Sequence, residues 1–173
     1  MKKLIFLVGF MGVGKTYLGQ QLAQQLYYDF LDTDQLIEAQ QNQSIPTIFT
    51  KHGESVFRDY ERQVTHELLN RERLVVATGG GLPCHHNLMA TLCQNGTTIY
   101  LEASVDMIAE RLANAPGDRP LINKKNTCSQ LEIMTNLMTA RAPIYEKADY
   151  IFYLSGNKRE DERDFLAMCR AES

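Results

Sequence analysis

The sequence predicts an α/β fold in which one parallel sheet is wrapped by helices. Two observations carry that expectation. Apolar runs alternate with amphipathic stretches along all 173 residues, and the first apolar run opens directly into a glycine loop followed by a helical pattern. Leu4-Ile5-Phe6-Leu7-Val8 is continuously apolar, as a strand buried on both faces should be. Beyond the loop, Leu18, Leu22 and Leu26 recur every four residues and mark one face of a helix. Residues 28–31 read as a short second strand ending at Asp32. Residues 34–70 read as helical, broken near 44–46 and at Gly53, with Val56, Phe57, Tyr60, Val64 and Leu68 turned to a core. A third strand, 74–77, stops at Gly79-Gly80-Gly81, and a fourth covers 97–101. A helix then carries Val105, Ile108, Ala109 and Leu112. Residues 115–127 hold Pro, Gly, Asn and Lys without period, which marks a mobile loop. A helix over 129–141, a fifth strand over 150–154 and a terminal helix complete the order. With no repeat and no long linker, residues 1–173 are expected to form a single domain.

Composition narrows the function. Eighteen Lys and Arg against 21 Asp and Glu leave a net charge of −3, with 44% apolar and 23% charged residues. That balance excludes a disordered chain. It also argues against a nucleic-acid coat, which wants a basic face. No apolar run is long enough to cross a bilayer, and the start Met1-Lys2-Lys3 lacks a long signal core. A cytoplasmic protein with no membrane partner is expected. Cys84, Cys93, Cys128 and Cys169 are too scattered to suggest zinc or a disulfide framework.

The chemistry starts at Gly9-Phe10-Met11-Gly12-Val13-Gly14-Lys15-Thr16, which matches G-x-x-x-x-G-K-T between a predicted strand and a predicted helix. Such glycines let backbone N–H groups approach phosphate oxygens at the positive end of a helix. Lys15 would neutralise the β and γ phosphates, and the Thr16 hydroxyl would ligate Mg²⁺. ATPases, GTPases and kinases all remain open on this loop alone. Asp32 and Asp34 lie where the second strand runs out. One suits holding a metal through water and the other accepting a hydroxyl proton, although both also suit helix capping ahead of Leu36. Gly79-Gly80-Gly81 offers backbone N–H groups after a buried strand. Arg58 and Glu61 share a helix face, with Arg62 on the same side, and as a solvated surface pair they would be unremarkable. Arg141 stands near a helix end, where pairing with the helix dipole is an equally plain role. Arg119 sits in the irregular segment, where a cation could close over phosphates.

G-F-M-G-V-G-K-T, D-T-D, F-R-D-Y-E (57–61), T-G-G-G (78–81), D-R-P-L (118–121) and R-A-P-I-Y-E-K-A-D (141–149) follow the order and approximate spacing found in shikimate kinases. The chain resembles that family over residues 4 to about 155. The resemblance implies a three-layer α/β/α P-loop fold, similar to nucleoside-monophosphate kinases, with strand order 2-3-1-4-5. It implies ATP-dependent, Mg²⁺-assisted phosphorylation of the 3-hydroxyl of shikimate. Gly12, Val13, Gly14, Lys15, Thr16, Tyr17 and Arg119 would then serve the nucleotide, and Arg111, Asn157 and Lys158 would lie around adenine. Thr16 and Asp32 would serve the metal, while Lys15, Asp34 and Arg119 would be catalytic. Asp34, Arg58, Gly79, Gly80, Gly81 and Arg141 would hold shikimate, and Glu61 would hold Arg58 in place. Residues 34–70 would be substrate-binding helices and about 115–126 a lid, in a monomer.

The two regions expected at adenine, Arg111 and the loop 155–159, fit the family loosely, neither having a strict signature. Asn157-Lys158-Arg159-Glu160 is similar to the guanine-reading N-K-x-D box, but carries Glu where Asp would pair with the base. Adenine is favoured, since no D-x-x-G switch is present to sense a γ-phosphate. The competing readings are another small-metabolite kinase such as a gluconate-type enzyme, a nucleoside-monophosphate kinase, and a non-enzymatic nucleotide switch. Two carboxylate-directed arginines beside D-T-D favour shikimate.

Overall fold

The computed structural model describes residues 3–113 and 127–171, the backbone alone for 127–130. Five strands, β1 (Leu4–Val8), β2 (Asp29–Asp32), β3 (Leu74–Ala77), β4 (Thr97–Glu102) and β5 (Tyr150–Tyr153), form one sheet in the order β2-β3-β1-β4-β5. Every neighbouring pair is parallel, with Leu4 beside Leu74 and Val8 beside Tyr100. The expected order is therefore present.

Strand alternation splits the core into two layers. Leu4, Phe6, Val8, Leu74 and Val76 face one side with Ile37, Phe57, Val64 and Tyr145, whereas Ile5, Leu7, Val75, Ile99 and Leu101 face the other with Leu18, Leu22 and Phe165. The first layer is closed by α2 (Thr33–Gln41), α3 (Ile45–Leu68) and α4 (Leu88–Asn95). The second is closed by α1 (Lys15–Leu26), α5 (Val105–Ala113) and α7 (Lys158–Ala171), while α6 (Thr127–Tyr145) supplies Met134 to the second layer and Tyr145 to the first.

Several boundaries differ from expectation. β2 begins and ends one residue later than predicted, because its pairing with β3 runs from Asp29 to Asp32. The two breaks expected within 34–70 are, in contrast, both present: α2 and α3 part before Ile45, and Gly53 kinks α3 with φ 82°. A side chain there would meet no atom within 4 Å, so glycine is required by conformation and not by space. Eight-residue α4 has no counterpart in the sequence reading, being too short to show a helical period. α6 runs past Arg141 to Tyr145 despite Pro143. In a last turn the missing N–H forfeits a single bond, and Arg141 and Tyr145 end up one turn apart on one face. The segment expected to form a lid, 115–126, lies outside the described residues, as does Arg119. All strand ends that carry chemistry share the carboxyl edge of the sheet, where order reverses around β1.

Candidate active site

The loop after β1 builds the nucleotide side. Gly9, Gly12 and Gly14 take φ of 139°, 78° and 111°, a backbone course that residues with side chains rarely follow. Lys15, buried at the start of α1, donates from Nζ to the carbonyls of Gly9 and Phe10, each at 2.8 Å. Burial lowers its pKa to about 8, against the pull of Asp34 and Asp32. The Thr16 hydroxyl donates to Asp32 Oδ2 at 2.8 Å, while Asp32 Oδ1 accepts the amides of Asp34 and Gln35. Asp32 thus caps α2 with one oxygen and faces Thr16 with the other. These two oxygens fit a magnesium ion that takes most of its shell from water and phosphate. Among the described residues no cluster of three or more His, Cys, Asp or Glu could hold a metal.

A cavity of about 300 Å³ adjoins the loop, lined by Gly12, Val13, Gly14, Tyr17, Leu18, Arg111, Leu154, Gly156, Lys158 and Asp161. Arg111 donates to the Val13 carbonyl at 2.7 Å. Lys158 lies over the Tyr17 ring with Nζ 3.9 Å from its centre, and the Tyr17 hydroxyl donates to Glu162. Asn157 is not among the lining residues; its Oδ1 accepts the amides of Arg159 and Glu160 and caps α7. The residue that shapes this loop is one the sequence reading passed over. Asp161, 4% exposed, accepts the Ser155 amide and hydroxyl and the Gly156 amide. Its only sequence signal is an acid in the first turn of a helix that follows Ser-Gly-Asn.

A second cavity, of about 230 Å³, gathers the expected acceptor residues from four separate segments: Asp34, Arg58 with Glu61, Gly79-Gly80-Gly81, and Arg141. Arg58 and Glu61 are 5% and 1% exposed and pair at 2.7 Å, so this is no surface pair. Glu54 takes the other edge of the Arg58 fork, at 3.1 Å from Nε and 2.7 Å from Nη2. Arg62, expected on the same side, is half exposed and pairs with Asp59 instead. Arg141 lies over the Phe10 ring and reaches the Gly80 carbonyl at 3.4 Å. The glycines are dictated by close approach. A Cβ on Gly79 would lie 2.5 Å from Asp34 Oδ1, and one on Gly81 would lie 2.6 Å from Arg58 Nη1.

Burial also sets the protonation of the two carboxylates. It raises the Asp34 pKa to about 6, helped by repulsion from Asp32 and resisted by Lys15. Glu61 rises to about 7, because burial, with repulsion from Asp34, outweighs the attraction of an Arg58 already shared with Glu54. Asp34 Oδ1 is buried and has no hydrogen-bond partner among the described residues. Met11, Glu38, Ile45, Pro46, Phe49 and Phe57 complete the cavity wall. None of these six was singled out as functional from the sequence; for Ile45, Phe49 and Phe57 the reason is that apolar residues on a helix serve a core equally well.

A buried carboxylate with a free oxygen, two buried guanidinium groups and a phosphate loop now share one sheet edge. The family model for shikimate kinase matches residues 11–170. The chain belongs to the shikimate kinase family. It is 37% identical over 148 residues to shikimate kinase from Bacteroides thetaiotaomicron, covering 86% of this chain and 85% of that one. The crystal structure of Acinetobacter baumannii shikimate kinase in complex with shikimate superposes with a TM-score of 0.88 at 34% identity, over 100% of this chain and 96% of the other. A gluconokinase from Sinorhizobium meliloti aligns with a TM-score of 0.62 at 17% identity, which shows a shared fold alone. Among the described residues no helix is long and apolar enough to cross a membrane.

Proposed function

We propose that the chain transfers the γ-phosphoryl group of ATP to the 3-hydroxyl of shikimate, giving ADP and shikimate 3-phosphate in aromatic amino-acid biosynthesis. The observation that carries this reading is the acceptor cavity, where Asp34, one of whose carboxylate oxygens has no partner among the described residues, lines the same space as the buried Arg58 and Arg141.

Arg58 and Arg141 grip the acceptor's carboxylate, and their burial strengthens each charge-assisted bond. Glu61 fixes the Arg58 fork from behind. Held this way, the ring presents its hydroxyl to Asp34. With a pKa of about 6, Asp34 is about nine-tenths ionised at pH 7, and Lys15, at about 8, is charged to a similar extent. The hydroxyl oxygen bonds to the γ-phosphorus as the bond to the ADP oxygen breaks. The proton passes to the Asp34 carboxylate and the electron pair stays with ADP. Lys15 and the loop amides offset the charge that spreads over the phosphoryl oxygens. Thr16 and, through water, Asp32 would hold Mg²⁺, which would supply further neutralisation of the phosphate charge. The apolar wall of Ile45, Phe49 and Phe57 keeps bulk water from competing as acceptor.

All the described acceptor groups come from one chain, which suits a monomer, and kinship with the shikimate kinases suits a cytoplasmic enzyme without a nucleic-acid partner. Phosphorus NMR of a reaction containing protein, ATP, Mg²⁺ and shikimate tests the reading. One phosphomonoester coupled to the C3 proton, formed one-to-one with ADP, is expected; inorganic phosphate as the sole product would overturn it.

A further inference from the structure

The Gly79-Gly80-Gly81 turn has two backbone amides, those of Gly80 and Gly81, for which no acceptor exists among the described residues. The Gly80 carbonyl, in contrast, is doubly held: the Tyr145 hydroxyl donates to it, and Arg141 Nη1 lies 3.4 Å away. In a trans peptide the N–H of the next residue points opposite to the carbonyl. Fixing the Gly80 carbonyl toward α6 therefore fixes the Gly81 N–H away from α6, on the turn that lines the acceptor cavity and lies against the Arg58 guanidinium. Glycine on both sides of this peptide leaves it free to rotate unless something anchors it.

We propose that Tyr145 is a positioning residue for the phosphoryl acceptor. By anchoring the Gly80 carbonyl it aims the Gly81 N–H at the acceptor's carboxylate, adding a backbone donor to the two arginines. The proposal rests on the reading of this cavity as the shikimate site. The Tyr145 ring is well placed for such a task, being 1% exposed and packed on Tyr100 with centroids 5.2 Å apart. Its hydroxyl stays a donor at every working pH, since burial pushes its ionisation far above neutrality. Donation into the carbonyl also polarises the peptide and strengthens the N–H on its far side.

Tyr145→Phe keeps the ring and removes the anchor. A rise of roughly 10-fold in the KM for shikimate is expected, the loss of one hydrogen bond to a charged group, while the dissociation constant for ATP alone stays within about 2-fold. A parallel weakening of both ligands, or no change in the shikimate KM, would overturn the proposal. Amide exchange of Gly81 in the unaltered protein provides a test that needs no variant. Saturating shikimate should slow it at least about 10-fold, and an unchanged rate in protein shown to bind shikimate would refute the assignment. Protein that binds no shikimate at all would instead sink the underlying functional reading.

Discussion

The nucleotide half and the acceptor half of the site are built on different principles. The phosphate loop is a contiguous run whose working parts are backbone amides and one lysine, so a single octapeptide specifies it. The acceptor half is assembled from side chains of α2, α3 and α6 around the glycine turn after β3, and Arg58, Glu61 and Arg141 are buried. Its chemistry comes from burial: a carboxylate raised to about 6, another to about 7, and guanidinium groups stripped of water. A contiguous loop recognises what all such kinases share, while a dispersed and buried constellation selects the acceptor.

Substitutions that separate the halves should therefore have one-sided effects. The largest is expected of Asp34→Asn, which removes the proton acceptor and should lower kcat by about 10²–10⁴-fold while ATP still binds. Comparable loss of ATP affinity in a titration would collapse the distinction. Arg58→Ala and Arg141→Ala should each weaken shikimate by on the order of 2–4 kcal/mol and ATP little. Arg58→Ala also strands Glu61, so adding Glu61→Gln should restore stability without restoring shikimate affinity. A double variant that regains affinity would show Arg58 to be structural.

pH sharpens the contrast next. Asp34 must be ionised and Lys15 protonated, so kcat/KM for shikimate should fall about tenfold per unit below pH 6 and decline again above about pH 8. Loss of the acid limb in Asp34→Asn would assign it. The smallest effect is on stability. A folded pKa above the unfolded value of 3.8 means that Asp34 costs stability as pH rises from about 4 to 6, with the cost complete above that range. Asp34→Asn should therefore stabilise the protein by on the order of 1–3 kcal/mol at pH 8, and by nothing near pH 4, in urea unfolding. A gain that did not depend on pH would place its origin elsewhere.

Local motifs were legible and burial was not. The parallel sheet could be read from Leu4 to Val8 and its echoes, because a strand covered on both faces must be apolar throughout. Arg58 and Glu61 could be named, yet their spacing suits a solvated pair equally well, and only packing against Gly81 distinguishes the two. The wall of Ile45, Phe49 and Phe57 was hidden because a cavity lining and a core share one periodicity. The capping of α7 by Asn157 was not read either, because the family resemblance drew attention to adenine and not to the helix that this residue opens. Asp161 and Tyr145 escaped because each acts on backbone brought near by folding, which no spacing rule records.

Acceptor selection is where the two halves must part, and the most direct measurement is kcat/KM for shikimate beside gluconate at saturating ATP and Mg²⁺. A preference for shikimate of at least roughly 100-fold is expected, as for a site whose buried polar groups are left unpaired by the wrong acid. Equal values for the two acids, or ADP release indifferent to both, would contradict the assignment of the second cavity to shikimate.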